Sequence, residues 1–255
     1  MRTPALRLRS FLVALALTPL VLPLPPAHAG PLFSEDFESG ALAPSVWLQE
    51  VTGGNRLEVQ GEQVAHGRFA LRVRCPASSL RTWAFIHATR LPAALQHHQF
   101  GRAYMFVTPR LPDRHLMLLN AGTAGFPRYK YLEVASAHAK WQLTYVDQLK
   151  APLNEDYHAA GLVPTGRWFC LEWEFNDQPD HAAVWVDGQL VFETDFTSRV
   201  TGGKTDLVGA FTDLAFGFRL WGAAPDAFDV CYDDIAIDTQ RIGPVSAAPA
   251  DGRQR

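Results

Sequence analysis

A scattered set of polar and aromatic residues has the types needed for proton transfer on a sugar acid: His115, Tyr129, Tyr131, Glu133, His138, Trp141, Gln142, Tyr145, Arg219 and Trp221. A histidine or tyrosine can take or give a proton, and an arginine or glutamine can offset a carboxylate. Flat aromatic rings offer an apolar face to a sugar. The catalytic candidates are His115, Tyr145 and Arg219, with His115 or Tyr145 moving the proton and Arg219 facing the acid. Tyr131, Glu133, His138, Trp141 and Trp221 are the candidate substrate-binding positions. Any one of them alone serves structure more often than chemistry.

Two acidic groupings add alternatives. Glu172 and Glu174 are two apart on a strand-like stretch. They would share a face at about 6–7 Å, a spacing that suits glycosidic hydrolysis. The plainer reading is a polar outer face. Asp36, Glu38, Asp233, Asp234 and Asp238 sit near the two ends of the folded region. If the first and last strands pair, their oxygens suit calcium, with carbonyls of a turn such as His66-Gly67 completing the shell. A closely spaced Asp/Asn calcium loop is absent. So are CxxC, HExxH, GxSxG and P-loop patterns, which leaves zinc, haem, serine hydrolysis and nucleotide chemistry unsupported.

These residues need strands to hold them. Phe169, Leu171, Trp173 and Phe175 alternate with Cys170, Glu172 and Glu174, so the two sets take opposite sheet faces. Asn176 to Asp180 is turn chemistry and Ala183–Val186 is the return strand. Similar short runs follow from Leu32 to Ile237, and Tyr129–Ala135 pairs with Lys140–Val146 across a Ser136–Ala139 turn. Leu149–Pro164 is polar and reads as a loop, and Ser198–Gly209 holds a Gly-Gly loop. About a dozen strands with no amphipathic helix predict an all-β jelly roll of two stacked, curved antiparallel sheets.

The ends read differently. Arg2, Arg7 and Arg9 precede an apolar, proline-broken run from Phe11 to Leu24, and Ala27-His28-Ala29 fits a cleavage site. This predicts a signal peptide over residues 1–29 and export to the periplasm or outside. The jelly-roll domain is expected over 30–243 and a loose tail over 244–255. The net charge of −3 gives no electrostatic support to a nucleic-acid partner, and no second apolar segment suggests a membrane anchor. Cys75, Cys170 and Cys231 allow one disulfide of unassigned pairing or three buried thiols.

Several stretches together resemble a family. They are Glu35–Gly40, Ala65-His66-Gly67, Gly101–Tyr104 with His115 beyond, Phe169–Trp173, Val184–Gly188, Phe216–Phe218, Tyr232–Ile237 and Arg241-Ile242-Gly243. In this order they resemble the secreted cellulose-induced core proteins of fungi and their bacterial relatives, a jelly-roll group similar to glucuronan lyases and, more distantly, alginate lyases. The resemblance implies a structural calcium held by the side chains of Glu38 and Asp233 and by carbonyls near His66 and Phe69. It also implies a concave sheet that binds a polysaccharide, with β-elimination in a polyuronate. His115 matches a histidine of that group. Glu133 stands where the group carries a basic residue, its glutamine falls near Ala137 or His138, and Trp221 replaces a tyrosine.

The expected protein is therefore a secreted monomer that recognises an acidic polysaccharide and cleaves it by β-elimination. A non-catalytic carbohydrate-binding module, with Tyr131, Trp141 and Trp221 stacking on sugars, is the alternative. A glycoside hydrolase using Glu172 and Glu174 is the third reading.

Overall fold

The computed structural model describes residues 30–123, 130–147, 153–178, 180–195 and 209–245. The expected signal peptide, Tyr129, most of the Gly-Gly loop and residues 246–255 of the tail lie outside them. From Pro31 onward the chain forms one compact unit.

The strands in chain order begin with β1 (Phe33–Glu35), β2 (Trp47–Val51), β3 (Arg56–Gln60), β4 (Ala70–Cys75) and β5 (Thr82–Ala88). They continue with β6 (His98–Val107), β7 (Leu116–Gly122), β8 (Lys130–Ala137), β9 (Lys140–Asp147) and β10 (Leu153–Leu162). The last are β11 (Trp168–Asn176), β12 (His181–Val186), β13 (Gln189–Asp195), β14 (Asp213–Leu220) and β15 (Phe228–Asp238). They make two sheets. An eight-stranded sheet runs β13-β12-β11-β6-β15-β4-β3 with β1 on β15, and a seven-stranded sheet runs β10-β9-β8-β7-β14-β5-β2. Every pairing is antiparallel. The jelly roll expected from the alternation is the observed architecture.

Leu149–Pro164 is not wholly a loop. Leu153–Leu162 is a strand that pairs β9 at the sheet's edge. An edge strand keeps one row of backbone groups open to solvent, so it tolerates the polar run Asn154-Glu155-Asp156 that masks it in the sequence.

The core lies between the sheets. Leu71, Val73, Met105, Trp173, Phe175, Phe216, Phe218, Val230 and Tyr232 pack there, and each large apolar side chain contributes about 1.5–3 kcal/mol on burial. Trp173 fits because Gly101 lies opposite it across β6 and β11. A Cβ at Gly101 would come within 1.9 Å of the indole. The Tyr232 hydroxyl reaches across from the eight-stranded sheet. It lies 2.7 Å from the carbonyls of both Leu118 and Gly217. Both carbonyls sit at register shifts, in β7 and β14. Bulges re-aim the residues beyond them, so this hydroxyl fixes the irregular stretch just before Arg219.

All three cysteines are buried and free, so the structure takes the thiol reading. Burial pushes Cys75 up to about 11 and Cys170 and Cys231 up to about 12. They are inert, core-like thiols.

Candidate functional site

The outward face of the seven-stranded sheet gathers most of the candidates. On β8, Tyr131 and Glu133 share that face, while Leu132 and Val134 enter the core. The same alternation on β9 sends Gln142 and Thr144 outward and sends Trp141, Leu143 and Tyr145 inward. His115 opens β7 at one end of this face, and Arg219 comes from β14.

His115 is the centre of a hydrogen-bonded row. Its Nε2 lies 2.9 Å from Glu133 Oε2, and its Nδ1 lies 3.4 Å from Gln142 Oε1. Gln142 Nε2 then donates to Thr144 Oγ1 at 2.9 Å, and Thr144 Oγ1 donates to Asp156 Oδ1 at 2.9 Å. Glu133, Gln142 and Thr144 are buried, whereas His115 keeps about a quarter of its side chain exposed, 24%. Burial pulls the His115 pKa down, but the hydrogen bond and charge of Glu133, with Gln142 and Asp156, outweigh it and hold the imidazole above its ordinary value. Gln142 Oε1 can only accept, so the long contact has Nδ1 donating, while Glu133 orients the ring through Nε2.

Beyond His115 the row continues across β14 and β5. Trp221 N donates to the His115 carbonyl at 3.0 Å, which sets the two residues side by side. Trp221 is 40% exposed. Arg81 lies over its ring at 4.6 Å and over Trp83 at 5.4 Å. Arg219 lies over Trp83 at 5.6 Å and over Phe85 at 5.7 Å. Trp83 is anchored by its Nε1, which donates to Glu50 Oε1 at 2.7 Å. Glu50 also meets His87, whose other nitrogen faces Asp213 at 3.2 Å. The hydrogen bond from His87 outweighs burial and, with Trp83, holds the Glu50 carboxyl down at about 2.

Several expectations need correction. Trp141 is core, edge-on to Phe169, and only 1% exposed, so it cannot stack on a sugar. Tyr145 is also on the core side, 2% exposed, which removes it as a proton carrier. Tyr131 faces outward but is buried among Phe85, Met117, Val146 and Ala215, as floor and not platform. His138 occupies the two-residue turn between β8 and β9 with Ala139, both at positive φ. It pairs with Asp113 at 2.6 Å and stands at the mouth of the row.

Glu172 and Glu174 lie on the other sheet, away from this row. Glu172 is buried and held by Arg241 through two 2.9 Å bonds, and Glu174 meets His98 at 2.8 Å. Their roles are structural, and the hydrolase reading falls with them. Arg81, Trp83, Glu50, His87 and Asp213 escaped the sequence reading. The signal was the spacing of Arg81, Trp83, Phe85 and His87, which puts all four on one strand face.

At the expected calcium positions, backbone amides of residues 65–69, and not carbonyls, meet the two carboxylates. Glu38 Oε1 accepts the N–H groups of Arg68 and Phe69 at 2.7 and 2.9 Å. Asp233 Oδ2 accepts those of Ala65 and His66 at 2.9 and 3.1 Å. Two carboxylates at one corner suit a hard cation in donor type. Among the described residues no group of three His, Cys, Asp or Glu side chains is arranged for a metal, so carbonyls would have to supply the remaining ligands.

No family model matches the chain, and no curated protein matches it. Solved structures do. The cellulose-induced protein Cip1 superposes with a TM-score of 0.61 at 16% identity, over 83% of this chain and 99% of that one. The endo-β-1,4-glucuronan lyase of the fungus Trichoderma reesei gives 0.58 at 14%, over 82% and 96%. The receptor-binding domain of a botulinum neurotoxin C/D mosaic gives 0.54 at 11%, over 84% and 49%. At these identities the likeness establishes the jelly-roll fold, shared by polysaccharide-related proteins.

Proposed function

We propose that this is an exported protein that binds an acidic polysaccharide across the outward face of its seven-stranded sheet and cleaves it by β-elimination. The observation that carries the reading is the Glu133–His115 pair, a quarter-exposed imidazole oriented by a buried carboxylate. In the reaction, His115 in its neutral form takes the proton beside the uronate carboxylate, and Arg219 offsets the charge that develops on that carboxylate. The C–O bond to the leaving sugar breaks as the new C=C bond forms, and the proton passes from His115 to the leaving oxygen. The likeness in fold to a glucuronan lyase supports a β-1,4-linked polyuronate as the first substrate to try. Export rests on the sequence of residues 1–29. No helix among the described residues is long and apolar enough to cross a membrane.

The test follows the ultraviolet absorbance of unsaturated uronyl ends on a panel of polyuronates. A rise is expected with the wild type, and His115→Ala should reduce it by at least about a hundredfold. A flat trace on every polymer, with binding retained in an affinity gel, would replace the lyase by the non-catalytic binding module.

Calcium enters this proposal as a staple between the chain ends. Glu38 and Asp233 would hold it with nearby carbonyls, and it would supply charge neutralisation and no step of the reaction. Chelation is expected to lower the melting temperature, with calcium restoring it. An unchanged melting curve would leave the amide–carboxylate bonds as the whole staple.

A further inference from the structure

The guanidinium groups of Arg81 and Arg219 have an unusual environment. Both are stacked on aromatic faces, yet among the described residues neither makes a hydrogen bond or an ion pair. Arg219 feels the Glu50 carboxylate at longer range. Among the described residues Arg81 lies over two indole rings, those of Trp83 and Trp221. A guanidinium that lies flat on a ring leaves its edge, with the N–H donors, free for another group. Such an edge matches a carboxylate in a two-bond geometry.

Their placement brings them together. Arg219 pairs in register with Trp83, the pairing ends at Leu220 and Thr82, and Trp221 and Arg81 are the residues just beyond. Both guanidinium groups lie over the Trp83 ring, Arg81 at 5.4 Å and Arg219 at 5.6 Å, so the two arginines are neighbours around one indole. Trp221 is shared: it flanks His115 on one side and supports Arg81 on the other. Trp83 supports both arginines, and its bond to Glu50 locks its ring.

We propose that Arg81, clamped between Trp221 and Trp83, is a second anion-reading position that takes the carboxylate of a sugar next to the one facing Arg219. This sheet face then selects chains with carboxylates on neighbouring sugars. This rests on the polysaccharide-binding reading above and adds its charge specificity.

The experiment is affinity electrophoresis of the full chain against four polymers. They are β-1,4-polyglucuronate, its carboxyl-reduced form, a polymer alternating uronate with neutral sugar, and a sulfated neutral glucan. The wild type is expected to bind polyglucuronate at least about tenfold tighter than the reduced and alternating polymers. Arg81→Gln should lose about tenfold on polyglucuronate and change the reduced polymer less than twofold. Arg81→Lys keeps the charge but not the flat stack, and should fall between. Melting temperature serves as the folding control.

Equal losses of Arg81→Gln on both polymers, or no loss, would overturn the inference while leaving the binding face in place. Arg81→Lys matching the wild type would overturn the aromatic clamp. Tighter binding of the sulfated glucan than of polyglucuronate would overturn the carboxylate as the group read. A wild type that binds none of the four would remove the binding face itself.

Discussion

The two sheets use the same residue types on their outward faces and use them oppositely. On the eight-stranded sheet, Arg241 lies 4.2 Å over the Trp185 ring and makes two bonds to Glu172. On the seven-stranded sheet, Arg81 lies 4.6 Å over the Trp221 ring and has no acid in contact among the described residues. The first arginine has its carboxylate from the chain and the second does not. The pattern extends outward. Arg72 reaches Glu58 and Glu62, Arg102 donates to the Gly243 carbonyl, and Val245 N donates to the Tyr104 hydroxyl. The described part of the C-terminal segment thus lies over the eight-stranded sheet and bonds to it. The opposite face presents arginines over aromatic rings and a quarter-exposed histidine, with no such cover from the described part of that segment. An arginine over a tryptophan signals a ligand only when its edge is left unused.

The largest effect should come from breaking the satisfied face. Arg241→Ala leaves Glu172, 1% exposed, with a buried and unpaired charge. A loss of about 3 kcal/mol is expected in chemical denaturation. Arg81→Gln, by contrast, removes no ion pair and should change stability by less than about 0.5 kcal/mol, as surface substitutions do. If the two variants cost the same, the distinction between a structural and a ligand-facing arginine fails.

The layers were legible in the sequence because alternation is local. Leu71 and Val73, or Phe216 and Phe218, announce an inward face wherever the strand pairs. The site was less legible because its residues meet through register, which is not local. The error at β9 is instructive. Trp141 and Gln142 are adjacent on one strand and cannot share a face, so only one of them could line a groove. The larger apolar set, Trp141, Leu143 and Tyr145, took the core, and Gln142 and Thr144 were left outside. On β5, Trp83, Phe85 and His87 look like core residues by type. They face outward because Ala84, Ile86 and Ala88 already fill the inner side. That choice depends on the volume available beneath the strand, which no single stretch of sequence carries.

The smallest expected effect sharpens the one close charge pair at His115. Its pKa is held above the ordinary histidine value, so the folded state favours the protonated ring. The resulting stability is fully present below the unfolded value near pH 6.5. It is lost as pH rises through the higher folded-state value. Glu133→Gln removes the charge and leaves only Gln142 and Asp156 to oppose burial. In an NMR titration the His115 midpoint should then fall below that of the wild type. The stability gap between wild type and variant should be widest near about pH 6 and close by about pH 9. A midpoint that stays put would mean that Glu133 does not set the charge of His115. The row would then be a set of ordinary buried polar contacts, no different in kind from those on the eight-stranded sheet.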